Sequence, residues 1–378
     1  KDELHGGEGD DSLYDDSGTN KLYGDAGNDS IRGSGADSLY GGDGNDILKG
    51  GVLIDGGDGD DYATLTSQTS TVDLGNGNNT VDGADSSQSQ DLRITTGSGV
   101  DNITVGQNQG YLEIKAGAGD DYLEDKSHQH WSWHYLYGED GNDTIVGGSN
   151  TSGDWQYFYG GSGHDSIDAK GGSDELRGDS GQDTLLGGDG DDRLYGGTGT
   201  DSLDGGTGND HLYGEGDEDT LFGGSGNDLL DGGDATDSLD GGDGNDTLKG
   251  GSGSDTLAGG LGDDQLEGGY SRDILQGGDG LDALYGGDDD DTLSGGAGSD
   301  YLDGGSGQDV AQLSGNSTDY SIAKGTAVNN DDLYYLTDNR ADSPDGVEQL
   351  TNIETIAFAD GEISMMDFYI GITPPPTD

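Results

Sequence analysis

GGDGDDRLY (187–195), GGTGTDSLD (196–204) and GGTGNDHLY (205–213) follow one another without a spacer, the same residue types returning to the same places. Extended at that phase in both directions, the pattern runs from Gly160 to Gln312, 153 residues making 17 units without a slip. The sixth position is Asp in all 17 units, and the eighth is Leu or Ile in 16, failing only at Ala311. A phase held this long is a structural period, and it governs the reading of everything else in the chain.

Each position has a physical task. Glycines at the first, second and fourth positions are read as permitting positive φ, so that six residues turn tightly with their carbonyls facing inward. The Asp sets a carboxylate beside those carbonyls, and hard oxygen donors of both kinds suit calcium. The last three residues suffice for a very short strand, its middle Leu or Ile pointing inward and its neighbours outward. Asp217, Ala235, Ser271 and Asp289 replace the fourth glycine, which predicts weaker or strained turns there.

Composition points the other way. The chain has 378 residues, 79 acidic against 14 basic, and a formal net charge of −65. Leu, Ile, Val and Phe together make only about one residue in six, and 80 residues are glycine. So few apolar groups under so much charge describe a chain that does not fold unaided. An ordinary globular enzyme with a thick core is excluded, and the acidity argues against nucleic acid and against membrane insertion. There is no cysteine, hence no disulfide or thiolate site, and no apolar run approaches a spanning length. Period and composition are reconciled if a cation lies between the aligned Asp carboxylates: disorder without the ion, order with it.

The pattern Gly-Gly-x-Gly-x-Asp-x-U-x resembles the calcium-binding nonapeptide of RTX (repeats-in-toxin) proteins. That resemblance implies an all-β fold: a calcium-binding parallel β-roll, or β-solenoid, with a C-terminal β cap. Two nonapeptides would make one coil, with about 15 or more calcium ions between turns stacked on the same edge. The expected ligands in 160–312 are Asp165, Asp174, Asp183, Asp192, Asp201, Asp210, Asp219, Asp228, Asp237, Asp246, Asp255, Asp264, Asp273, Asp282, Asp291, Asp300 and Asp309. Residues 1–62 carry the repeat irregularly and add Asp11, Asp29, Asp37, Asp46 and Asp61. Residues 63–159 hold only echoes of it, with Asp101, Asp121 and Asp143 in phase, and are read as a degenerate stretch of solenoid with longer coils and inserted aromatic loops.

In those loops stand His128, His130, Trp131, Trp133 and His134, and farther on Trp155, a candidate interaction surface for a glycan or cell surface. Packing of the aromatics over a coil edge is the favoured alternative, because no Cys or further His completes a closed transition-metal site. Residues 313–378 form the expected cap. Asp345–Glu354 with Phe358–Gly361 resembles the C-terminal region of type I secreted RTX proteins, which caps the roll and carries an export signal. Asp367–Ile370 is similar to the acidic-then-hydrophobic end of such signals, but a Pro-rich tail follows it.

The resemblance implies a bacterial protein that a type I exporter passes unfolded and that folds outside, secreted or at the cell surface. The chain has no His-Glu-x-x-His, no Gly-x-Ser-x-Gly and no phosphate-loop motif, so no catalysis is expected. Two readings of function remain: a structural protein that self-associates into a fibre, surface layer or adhesive matrix, or the secretion and folding module of a larger enzyme, toxin or adhesin.

Overall fold

The structure, a computed structural model, describes residues 1–88, 91–108, 110–127, 133–149, 155–325, 333–340 and 344–365, with backbone only at 84–88. His128, His130, Trp131, Asp367–Ile370 and the Pro-rich tail lie outside the described residues. The fold is an all-β parallel solenoid that includes a single 3-10 turn at Ser317–Asp319. Lys1–Thr198 and Gly199–Asp378 form two compact units.

In Gly199–Asp378 the coil is constant. His211 lies opposite Leu229 and Leu229 opposite Thr247 in one sheet, Thr220 opposite Ser238 and Ser238 opposite Thr256 in the other. Each step is 18 residues, as in the bond from Asp237 N–H to Asp255 Oδ1. The eighth-position side chains form one inward column per sheet. Leu212, Leu230 and Leu248 face Leu221, Leu239 and Leu257, each no more than 1% exposed. The hydrophobic core is therefore a single pair of side chains deep, and no thicker layer backs it up.

The repeat strands are six residues long rather than three, as in Thr247–Ser252 and Thr256–Leu261. They continue through the first glycine of the next unit, which is extended and buried; Gly250, for example, is absent from the positive-φ glycines, whereas Gly251 (109°) and Gly253 (147°) are among them. Positive φ thus explains the second and fourth glycines but not the first. At the replaced fourth positions Asp217, Ala235, Ser271 and Asp289 do adopt φ of 73°, 80°, 78° and 77°, a left-handed conformation that a side chain disfavours.

Lys1–Thr198 also has two parallel sheets, with coils of changing length. The Asp-to-Asp step is 18, 17 and 15 residues along Asp11, Asp29, Asp46 and Asp61. It becomes 22, 20, 22 and 22 residues from Asn79 through Asp101, Asp121 and Asp143 to Asp165, then returns to 18 at Asp183. The degenerate stretch keeps parallel pairing throughout, for example Leu112 with His134 and His134 with Gln156. The strand Thr80–Gln88 takes up extra residues in a register shift between Gly83 and Ser87, and the inward column Ile94, Ile114, Leu136 and Phe158 stays intact.

After Val310–Gln312 the chain leaves the coil. Tyr320–Lys324 pairs antiparallel with Leu333–Asp338, and that strand pairs antiparallel with Val347–Thr351. Val347–Thr351 lies parallel on Tyr301–Ser306, and Thr355–Phe358 lies parallel on Val310–Gln312. Each sheet therefore ends in antiparallel strands, which gives the last coil's open backbone groups partners. Arg340 anchors this cap: its Nη2 lies 2.8 Å from Asp338 and 3.0 Å from Asp345, and its guanidinium stands 5.4 Å over the Tyr320 ring.

Candidate metal centre

The sixth-position Asp residues are buried, a rare setting for carboxylates unless they are paired or bind metal. Asp219, Asp237, Asp255, Asp264 and Asp291 are each 1–3% exposed. One oxygen of each is accounted for. Oδ1 accepts the backbone N–H of the equivalent Asp one coil earlier, 2.8 Å from Asp219 to Asp237 and from Asp237 to Asp255. The other is not: Oδ2 of Asp219, Asp237, Asp255, Asp264 and Asp291 has no hydrogen-bond partner among the described residues.

Asn79 shows what surrounds that second oxygen. It stands at the sixth position of the turn 74–79, and its Oδ1 accepts the Asp61 N–H at 3.0 Å, as an Asp would. Its Nδ2, occupying the place of Oδ2, donates to the carbonyls of Gly75 and Gly77 at 3.2 and 3.0 Å. Put Asp there and an oxygen would face oxygens. A cation is then needed to turn the contact from repulsive to attractive.

A carbonyl from the next coil joins the same space. A Cβ built on Gly250 would fall 2.5 Å from Asp255 Oδ2 and 2.7 Å from the Gly268 carbonyl oxygen; at Gly259 the distances are 2.4 Å to Asp264 and 2.5 Å to Gly277. In these turns carboxylate and carbonyl converge beside the α-carbon of the first glycine, which leaves little room for a side chain; alanine takes that place at Ala116 and Ala169. No group of three or more acidic or histidine side chains converges among the described residues, so the donors are carboxylate plus backbone carbonyl. That hard, all-oxygen set fits calcium and not the softer transition metals.

The ladders differ between the two units. In Gly199–Asp378 both edges carry them, Asp201 to Asp309 on one and Asp210 to Asp300 on the other. In Lys1–Thr198 one edge runs from Asp11 to Asp183, interrupted by Asn79. On the other edge Gln156, Asp174 and Asp192 are linked in the same way. Asp37 differs from the other expected ligands. Its Oδ1 accepts the Asn20 N–H at 2.7 Å, and its Oδ2 accepts Ser34 N–H and Oγ–H at 2.7 and 2.8 Å, so its carboxylate is already satisfied without a metal.

His134 is not presented to a partner. It is wholly buried, with Nδ1 2.6 Å from Asp125 Oδ2 and Nε2 3.1 Å from the Gly110 carbonyl. Asp125 also accepts Gln156 Nε2–H at 2.9 Å and Ser127 Oγ–H at 2.6 Å. Burial raises its pKa, but the His134 ring prevails and holds its carboxyl below the usual range. No period marks this cluster, because its members come from different coils of unequal length. Trp133 and Trp155 do face solvent, at 56% and 37% exposure. Trp133 stacks on Tyr157 and Tyr157 on Tyr135, at 5.7 and 4.8 Å between ring centroids. Arg193 stands 5.1 Å over Trp155, Arg93 5.1 Å over Tyr111 and Lys115 5.4 Å over Tyr137. An aromatic face therefore runs along one sheet, its Arg93 and Lys115 paired with Glu113 at 3.3 and 3.4 Å.

Burial pushes Asp61, Asp121, Asp143, Asp219, Asp264 and Asp291 up to about 7, and Asp165, Asp237 and Asp282 to about 6. Since the folded pKa lies above the free value of 3.8, these groups support the metal-free fold fully below about pH 4. That support is lost as pH rises through 6 to 7. Protons and calcium also compete for the same oxygens. Circular dichroism should show the calcium midpoint for folding little changed between pH 7.5 and pH 5.5, because the unfolded carboxylates are ionised at both, and rising steeply only as pH approaches 4. In chelator, any residual β signal should decline from pH 5 to pH 7.

A two-sheet β-solenoid whose stacked turns hold buried carboxylates against backbone carbonyls is a calcium-type β-roll. The chain belongs to the family of proteins with the RTX calcium-binding nonapeptide repeat. That family's model, four copies of the repeat, matches residues 1–31, 33–52, 135–151, 159–194, 195–230 and 231–266, and overlapping blocks 259–293, 267–302 and 276–311. No curated protein matches the chain. Among solved structures, one similar chain is a hyperactive, Ca2+-dependent, beta-helical antifreeze protein from an Antarctic bacterium. It shares 16% identity, with 98% of this chain and 95% of that one covered and a TM-score of 0.30. RTX repeats are typical of secreted proteins, and no helix among the described residues is long and apolar enough to cross a membrane.

Proposed function

We propose that this chain is an extracellular structural protein, exported unfolded by a type I exporter and made rigid by calcium outside the cell, that self-associates into a fibre, surface layer or adhesive matrix. The observation that carries this reading is the ladder of buried carboxylate oxygens without protein partners, repeated coil after coil. The reading is non-catalytic, because calcium ligation accounts for the ladder Asp residues without acid–base chemistry. The aromatic face of Trp133, Tyr157 and Tyr135, with Arg193 over Trp155, supports assembly, because it offers a second copy an apolar surface that the acidic turns lack.

Electron microscopy of the full chain in millimolar calcium, and again after chelation, tests the proposal. Ordered fibres or sheets that disperse on chelation are the expected result. Single dispersed molecules at every concentration would overturn assembly and favour the alternative, a calcium-dependent folding and secretion module of a larger protein. A glycan array in calcium separates the remaining outcome, in which the same face binds sugar.

A further inference from the structure

We infer that the chain carries one more calcium site, beyond its last recognisable nonapeptide, between Asp300 and Glu348; the inference rests on the calcium reading of the Asp ladders. After the antiparallel excursion the chain re-enters the solenoid at Pro344. Tyr301, Leu302 and Asp303 then lie opposite Gln349, Leu350 and Thr351. One step back along that register, Glu348 takes the place above Asp300 where a sixth-position Asp would stand. The rest of the turn matches. Gln349 N–H donates to the Asp300 carbonyl at 2.8 Å, as Tyr301 N–H does to Asp282. Gly346 has φ +60°, and a Cβ there would lie 1.7 Å from the Gly298 carbonyl, just as one on Gly298 would lie 1.6 Å from that of Gly280. Leu350 fills the inward column at 0% exposure.

Counted in the sequence from Ser343, the stretch to Thr351 is thus a repeat in disguise, with glycine fourth, an acid sixth and leucine eighth. The fixed-phase pattern hides it twice over: the excursion breaks the count, and the acid is Glu. Glu348 is 1% exposed, and neither of its carboxylate oxygens has a hydrogen-bond partner among the described residues. Asp300 Oδ2 below it is in the same condition. The opposite edge supplies the contrast. There Glu354 follows Asp309, and its Oε2 accepts the Asp309 N–H at 2.9 Å, completing that ladder by a hydrogen bond. Glu348 completes its ladder with two buried oxygens stacked above Asp300 Oδ2, carboxylate on carboxylate. A hard divalent cation satisfies all of these oxygens together, and it ties the cap to the last coil.

The test uses the full chain with calcium chloride as the probe. Hydrogen exchange follows amides of 347–351 and of the repeats, and native mass spectrometry counts bound ions. In the wild type, 347–351 should gain protection over the calcium range that protects the repeats. Glu348→Gln should bind one ion fewer and raise the calcium midpoint of 347–351 about tenfold, with the repeats of 199–294 unmoved. Glu348→Asp should retain the ion. Glu348→Leu removes the buried carboxyl altogether: a cap that folds at the wild-type midpoint with no ion lost overturns the site, as does a Glu348→Gln chain indistinguishable from wild type. If the wild-type repeats themselves bind no calcium, the reading of the ladders fails and this site falls with it.

Discussion

Chelating calcium at pH 7.5 should convert the whole repeat region from β-structure to a disordered chain. The core is one pair of Leu columns deep, such as Leu230 and Leu248 facing Leu239 and Leu257, and the ordering entropy of a glycine-rich chain works against it. At this pH the ladder Asp residues are largely ionised, and each buried Oδ2 meets other oxygens across the turn. Removing the cation therefore removes the attraction and restores a repulsion repeated at every coil. Because each coil templates the next, loss should be cooperative, with a midpoint near 10⁻⁴–10⁻³ M calcium, as for extracellular calcium modules. Far-ultraviolet circular dichroism should lose its β signal, and small-angle scattering should move towards the roughly 70 Å radius of gyration of an unfolded chain this long. Magnesium at the same concentration should not substitute, since it demands a tighter octahedral shell and sheds water reluctantly. A chelated chain that keeps its β spectrum would sink the calcium reading.

Methyl groups at two glycines of one repeat should do damage by different routes. In the unit 250–258, Gly253 has φ +147°, and a Cβ there would sit 1.5 Å from the Ala235 carbonyl oxygen. Gly253→Ala thus combines backbone strain with a collision against backbone that cannot move aside, a loss of about 3 kcal/mol or more. Gly250 has ordinary extended φ, but its Cβ would enter the space shared by Asp255 Oδ2 and the Gly268 carbonyl. Gly250→Ala should therefore act chiefly on the metal, raising the local calcium midpoint by at least about tenfold. Ser254→Ala, at an exposed position of the same turn, should stay within about 0.5 kcal/mol of wild type. The reverse exchange, Ala235→Gly at φ 80°, should stabilise by about 1 kcal/mol. Calcium titrations of the four variants followed by hydrogen exchange would check this ranking. Equal effects at Gly250 and Ser254 would refute the role given to the first glycine.

Much of this was legible in the sequence. The nine-residue phase of Asp165 to Asp309 defines the period, and the eighth-position Leu and Ile define the inward columns. Together with glycine in the turns, they determine a solenoid with carboxylates stacked along its edges, because a strict repeat allows every coil only one neighbour geometry. Tertiary structure decided the rest. The first glycine is small because of a carbonyl 18 residues away, not because of its own φ. Asp37 is satisfied by Ser34, and Asn79 replaces a cation with its own amide hydrogens. His134 is drawn inside by Asp125 and Gln156 from other coils. Glu348 regains the lost phase only after an excursion whose length no period predicts. Periodicity reports what each residue does relative to its own unit. Which buried oxygen finds a proton donor, and which is left for a metal, depends on atoms brought from neighbouring coils, and only the folded chain sets those distances.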